Sequence, residues 1–159
     1  NKSNFKIKKD LKMDTDLNKK LDVYLSNLAV GNIKFHNLHW NLVGFSFVRV
    51  HEYLEDVYDS IFEKYDQIAE IQKMQGQYPI ANMKEYLENA TIDEIEESKD
   101  IDQKDAIKIA LDYFKSQKEL AKSIREMAIE SDNFQVSNTM EDHIEEYDKQ
   151  IWFIESSLK

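Results

Sequence analysis

A chain of 159 residues with a net charge of −10, three glycines, one proline and no cysteine has the length of one domain and allows long uninterrupted helices. Without cysteine, disulfides, thiolate metal sites and a cysteine nucleophile are excluded, and the negative charge argues against a folded body that grips phosphates. No apolar run approaches the roughly 18 residues of a membrane span and the N-terminus lacks the apolar core of a signal peptide, so a cytoplasmic location is expected.

Residues 1–13 form the one basic segment, with Lys2, Lys6, Lys8, Lys9 and Lys12 against Asp10. They read as a flexible arm, solvated by default and able to touch DNA phosphates. Residues 14–159 are expected to be one all-α domain. A first long helix should start at Asp14 or Asp16 and run to Val43, with Leu17, Leu21, Tyr24, Leu25, Leu28, Phe35, Leu38 and Leu42 on its apolar face. Gly44 closes it as a left-handed residue. Ser46 should cap a second helix running to Gln75, with Phe45 and Val50 as a hydrophobic staple, and Gly76 and Pro79 stop it.

The segment 77–100 is too long for a turn and should cross the length of the molecule, with short helices at Asn82–Glu85 and Thr91–Glu94. A third long helix is expected over about Gln103–Glu130, with Ile107, Leu111, Phe114, Leu120, Ile124 and Met127 inward. A fourth should cover about Phe134–Leu158, using Met140, Ile144, Tyr147, Ile151, Trp152 and Ile154. Four long helices with a long crossover between the second and third give a ferritin-like four-helix bundle, with a short helix in the crossover.

The stretch from His36 to Glu70 concentrates the chemistry. Lacking cysteine, any metal must take imidazole and carboxylate ligands, a set suited to iron, manganese or zinc. His51 and Glu55 stand four apart, as do Asp66 and Glu70, so each pair shares a helix face. The eleven residues from Glu55 to Asp66 advance about 20° beyond three full turns, and all four side chains fall on one stripe with Tyr58 and Phe62 between them. At roughly 1.5 Å per residue the two pairs lie about 16 Å apart, too far for one metal site within one helix. Two copies of the helix crossing antiparallel about a two-fold axis would bring the first pair of one to the second pair of the other, giving two equivalent shared sites.

An internal di-metal site of the ordinary ferritin kind needs Glu-x-x-His motifs on two helices. None occurs, since the residues three before the histidines are Ile33, His36, Val48 and Met140. His36 shares the side of His39 and reads as a support for it, whereas His143, without a matching partner, is expected at the surface. Asp59 and Glu63 read as a solvated face, and Trp40 and Trp152 as packing residues.

The runs His39-Trp40, His51-Glu52, Asp66-x-x-Ala69-Glu70, Gly76-x-x-Pro79 and Met83-Lys-Glu-Tyr-Leu87, with the ending DKQIWFIESSLK, resemble the DNA-binding protein from starved cells (Dps) family, the mini-ferritins. The resemblance runs from about residue 17 to the C-terminus. It implies an iron-storing ferroxidase: His39, His51 and Glu55 of one subunit, with Asp66 and Glu70 of its two-fold mate, bind iron. It further implies a dodecameric homo-oligomer, a hollow shell of twelve subunits that oxidises Fe(II) preferentially with hydrogen peroxide and keeps the ferric mineral inside. Trp40 is expected near the site by the same resemblance. Glu55 departs from the family's usual aspartate and reaches one methylene further. Glu130, Asp132, Glu141 and Asp142 are candidates for the iron entry pore, although SDNFQVSN replaces the family's aspartate-rich turn. The alternative function is compaction of DNA through the lysine arm.

Overall fold

The computed structural model describes residues 1–4 and 14–159 in full and residues 5–13 by their backbone alone. Helix α1 spans Lys2–Asn41, β1 Leu42–Val43, α2 Phe47–Met74, α3 Met83–Asn89, β2 Ile101–Asp102, α4 Gln103–Glu130 and α5 Phe134–Ser157. The expected all-α, ferritin-like bundle is therefore present, built on α1, α2, α4 and α5, with α3 as the short helix of the crossover. Among the described residues no helix is long and apolar enough to cross a membrane.

The first helix begins earlier than Asp14 or Asp16. Asn1 caps it, its side-chain oxygen accepting from the Ser3 amide at 3.1 Å, which satisfies one of the unpaired donors of a helix start. Lys2 is exposed, and the arm's contacts expected through Lys6, Lys8, Lys9 and Lys12 lie outside the described side chains. The helix ends at Asn41, not Val43, because Leu42 turns extended and Leu42–Val43 pairs in parallel with Ile101–Asp102. This short bridge ties the end of α1 to the start of α4, where Asp102 caps by accepting from the Lys104 amide at 2.9 Å. Gly44 takes φ +144° and Gly76 φ +79°, conformations open to glycine without a side-chain penalty.

Every apolar residue expected on the face of α1 is buried. Helix α2 buries Leu54, Val57, Ile61, Lys64, Ile68 and Ile71, a stripe at alternating spacings of three and four. On α4 the buried stripe is instead Ala106, Ala110, Tyr113, Phe114, Gln117, Ala121, Ile124 and Ala128. Ile107, Leu111, Leu120 and Met127, expected inward, pack along the rim of the core. Small alanines on the inner stripe let α4 approach its neighbours closely, and the large side chains then fit beside the contact. At one such approach a Cβ on Gly31 of α1 would stand 2.7 Å from Tyr113 Cε2. On α5, Met140, Tyr147 and Ile154 are buried as expected, but Trp152 is 64% exposed.

The staple expected at Phe45 does not form: that ring is fully exposed, and Ser46 makes no side-chain cap bond. The Ser46 amide instead donates to Gln103 Oε1 at 2.8 Å. In the crossover, Asn82 caps α3 through the Glu85 amide at 3.0 Å. The second short helix, expected at Thr91–Glu94, is absent. Thr91 is taken up by Asn27 of α1, which accepts from its amide at 2.8 Å and donates to its hydroxyl at 2.9 Å. The Asp93 carbonyl accepts from Lys34 Nζ at 2.6 Å, so backbone groups a helix would use hold the crossover to α1 instead.

Candidate metal centre

Where α1 ends and α2 begins, the Nδ1 of His39 donates to the carbonyl of His51 at 2.7 Å, and the Nδ1 of His51 donates to the carbonyl of His39 at 2.8 Å. The His39 carbonyl sits in the last turn of α1, where helix carbonyls lack helical partners. Because a carbonyl can only accept, each Nδ1 carries the hydrogen, and Nε2 is left as the nitrogen whose lone pair can meet a metal. That is the tautomer of a metal-binding imidazole oriented by a main-chain acceptor.

The two rings stack with centroids 3.6 Å apart and planes at 13°. Phe47 stacks on His51 at 5.0 Å. Tyr58 meets His39 edge-on at 5.2 Å and stacks on His36 at 3.8 Å, and His36 in turn meets Trp40 at 5.6 Å. His36 donates from Nδ1 to the Asn32 carbonyl at 2.7 Å. It therefore supports the stack from α1, while Trp40 remains 66% exposed. Six aromatic or imidazole rings in series fix the direction of His39 and His51.

Glu55 lies one turn beyond His51 on α2, is exposed, and accepts from the Tyr58 hydroxyl at 3.3 Å. Asp66 and Glu70 are exposed further along the same helix. The chain thus brings His39 and His51 into contact and holds Glu55 beside Tyr58, but it does not bring Asp66 or Glu70 to them. Among the described residues, no three histidine, aspartate or glutamate side chains of one chain converge on a common metal position. Phe62, midway along the stripe, is exposed, as are Asp59 and Glu63. Of the pore candidates, Glu141 accepts from Arg125 Nε at 2.7 Å, and Asp132 sits at the α4–α5 turn with φ 55°.

His143, expected at the surface, is instead buried, only 4% exposed. Its Nε2 bonds Gln67 Oε1 at 2.7 Å and its Nδ1 bonds the Tyr24 hydroxyl at 2.8 Å. Burial, assisted by the charge of Lys64, pushes its pKa down to about 3. Beside it Lys64 Nζ, itself buried, pairs with Glu146 at 2.6 Å and donates to Ser60 at 2.6 Å. The hydrogen bonds to Lys64 and Ser60 hold the Glu146 carboxyl below its usual range despite partial burial. Lys64 occupies a buried position of the α2 stripe, a signal readable from spacing alone. A buried cation and a buried imidazole bonded at both nitrogens thus lie inside the bundle, with the half-buried Glu146 as the cation's acid.

The Ferritin-like domain family matches residues 18–159. The DNA protection during starvation protein of Brevibacillus brevis is 31% identical over 140 residues, covering 87% of this chain and 92% of that protein. The DNA protection during starvation protein of Listeria innocua is 36% identical over 74 residues, and there the match spans about half of each chain, 46% of this one and 47% of the relative. The crystal structure of the Vibrio cholerae Dps protein, described as a member of a broad superfamily of ferritin-like diiron-carboxylate proteins, aligns with a TM-score of 0.88 at 27% identity, covering 93% of this chain and 92% of that one. With the family match extending over nearly all of the bundle, this chain belongs to the ferritin-like proteins and, within them, to the Dps family.

Proposed function

We propose that the protein is an iron-storing ferroxidase whose substrate, Fe(II), binds between two chains at His39, His51 and Glu55 of one and Asp66 and Glu70 of the other, the oxidised product being kept inside a shell of twelve copies. The observation that carries this reading is the reciprocal histidine lock, which commits both Nδ1 atoms to main-chain carbonyls and leaves two Nε2 lone pairs in one stack. Neutral imidazoles and carboxylates suit both oxidation states of iron. The exposure of Asp66 and Glu70 on the same stripe of α2 supports their use by a two-fold mate.

In the proposed reaction two Fe(II) give one electron each to hydrogen peroxide, which takes two protons and leaves as two molecules of water; dioxygen can serve as the slower oxidant. The carboxylates offset the added positive charge of the ferric state, and the Phe47–Tyr58 ring series keeps the imidazoles aimed. The membership of a Dps relative in a diiron-carboxylate superfamily is consistent with this use of the acids.

The test is the initial rate of ferric absorbance after anaerobic mixing with Fe(II) and hydrogen peroxide, against a protein-free control. Glu55→Gln and Asp66→Asn are expected to slow oxidation severely while leaving assembly intact. Unchanged initial rates in both variants would remove the assignment.

A further inference from the structure

At the bundle centre, away from His39 and His51, a chain of hydrogen bonds joins three helices and ends at the surface. Gln67 Oε1 can only accept, so His143 Nε2 carries the hydrogen and Nδ1 bears the lone pair. The Tyr24 hydroxyl, fully buried, must then donate to His143 Nδ1 at 2.8 Å, while its oxygen accepts from the Tyr147 hydroxyl at 2.5 Å. Tyr24 is thus a buried phenol with a built-in base and a second donor on its oxygen. Neither the lone pair of His143 nor the order of this chain is needed for the metal centre.

We propose that Tyr24 is a redox site, giving an electron to a one-electron oxidant derived from hydrogen peroxide while its phenolic proton crosses to His143 Nδ1. With hydroxyl radical the balance is closed: the phenol, neutral His143 and the radical become a neutral tyrosyl radical, protonated His143 and hydroxide. A later Fe(II) returns the electron, becoming Fe(III), and the proton returns to the phenolic oxygen. That radical is set free when a single Fe(II) reduces hydrogen peroxide by one electron, with hydroxide as the other product, outside the two-electron path; the site rests on the ferroxidase reading only in that both draw on Fe(II) and hydrogen peroxide.

The surroundings select Tyr24 over the other buried phenols. Among the described residues the Tyr113 hydroxyl has no partner beyond the amide of Gln117, Tyr86 donates to the Ile80 carbonyl at 2.8 Å, and the half-buried Tyr53 donates to the amide of Gln150, all poor bases. Lys64 Nζ stands 5.7 Å from the centre of the Tyr147 ring, where a fixed positive charge opposes loss of an electron. Burial pushes the Tyr24 hydroxyl well above its ordinary pKa, so it stays a phenol until oxidation, and electron and proton must leave together. Protonated His143 would gain Glu146 as a compensating charge, with Lys64 opposing it. Its low basicity does not block the step, because an oxidised phenol is a far stronger acid than imidazolium.

The decisive experiment supplies the oxidant without iron. Iron-free, full-length protein is exposed to azide radicals made by pulse radiolysis and followed optically and, after freezing, by high-field EPR. A long-lived tyrosyl signal is expected in the parent and its loss in Tyr24→Phe. 3-Fluorotyrosine at position 24, which keeps the hydroxyl and the packing, should add a fluorine splitting to the spectrum. His143→Gln should shift the largest g value, because the hydrogen bond from a protonated imidazole is gone, a change that a merely structural histidine would not cause. No long-lived tyrosyl in the parent, an undiminished one in Tyr24→Phe, or an unsplit spectrum with the fluorinated residue overturns the proposal. Initial rates of Fe(II) oxidation should not change in Tyr24→Phe, and since no iron enters the radiolysis, failure here is separate from failure of the ferroxidase site.

Discussion

His39 and His143 are both buried, yet they stand in regions of opposite character. At the α1–α2 junction, His39 spends one ring nitrogen on a main-chain carbonyl and keeps the other. At the bundle centre, His143 spends both, on Gln67 and Tyr24. Burial alone does not distinguish a ligand from a core residue. The count of committed nitrogens does, because an imidazole with an unspent lone pair can still accept a cation, whereas one bonded at both ends must first break a buried hydrogen bond.

The largest effect should come from separating the two halves of the junction site. His51→Ala removes an imidazole and Asp66→Asn removes an acid, and each should cut the Fe(II) oxidation rate by more than about 100-fold, beyond the range typical of outer partners. If each site is shared by two chains, co-assembling the two inactive variants in equal amounts should restore about a quarter of the sites, because half of the chains carry a good histidine half and half carry a good acid half. Stopped-flow rates on the mixture, compared with each variant alone, read this directly. No recovery would mean that histidines and acids serve within one chain.

A smaller effect should follow from loosening the ring series without touching a ligand. Tyr58→Leu removes the edge contact to His39, the stack under His36 and the hydroxyl that reaches Glu55. Iron binding, measured by titration, should weaken by about 10–100-fold. An unchanged titration would mean that the main-chain bonds alone hold the imidazoles.

Much of the bundle is legible in the order of the residues. The apolar face of α1, the bounds of the later helices and the His51/Glu55 and Asp66/Glu70 pairs follow from spacings of three and four, which helices enforce strictly. The rest is hidden for identifiable reasons. Weighing only large side chains points to Ile107, Leu111, Leu120 and Met127, whereas α4 packs through alanines and places these on the rim. Thr91–Glu94 carries a good helix start, but Asn27 accepts from the Thr91 amide and donates to its hydroxyl, a contact across 64 residues that no local pattern contains. His143 has no partner at helical spacing because its partners, Tyr24 and Gln67, lie on other helices. Spacing does hold one further clue: Lys64 falls in step with Ile61 and Ile68 on the buried stripe, and a charged residue in such a place implies an acid to meet it, here the half-buried Glu146.

The spent histidine should show itself in stability against pH. Its pKa is depressed from 6.5 to about 3 in the folded chain, so below pH 6.5 the unfolded state takes a proton that the native ring resists. The contribution of His143 is therefore complete above 6.5 and declines as the pH falls through the window toward 3. The slope is at most about 1.4 kcal/mol per pH unit. Denaturant melts of parent and His143→Gln should differ in this slope across the window. Parallel curves would show that the ring is not held neutral.

The smallest effect belongs to the acids. Asp66 and Glu70 are exposed and touch neither histidine, so Asp66→Asn and Glu70→Gln should leave the stability of the chain within about 0.5 kcal/mol of the parent, the range of ordinary surface substitutions. His39→Ala, by contrast, loses a buried ring and its bond to the His51 carbonyl and should cost about 1–3 kcal/mol. Denaturant melts of iron-free protein decide both, provided the assembly state of each variant is matched. An acid variant as damaging as His39→Ala would mean that the carboxylates are structural in their own chain. Their exposure would then have to be reinterpreted, and with it the assignment of these acids to a partner's iron.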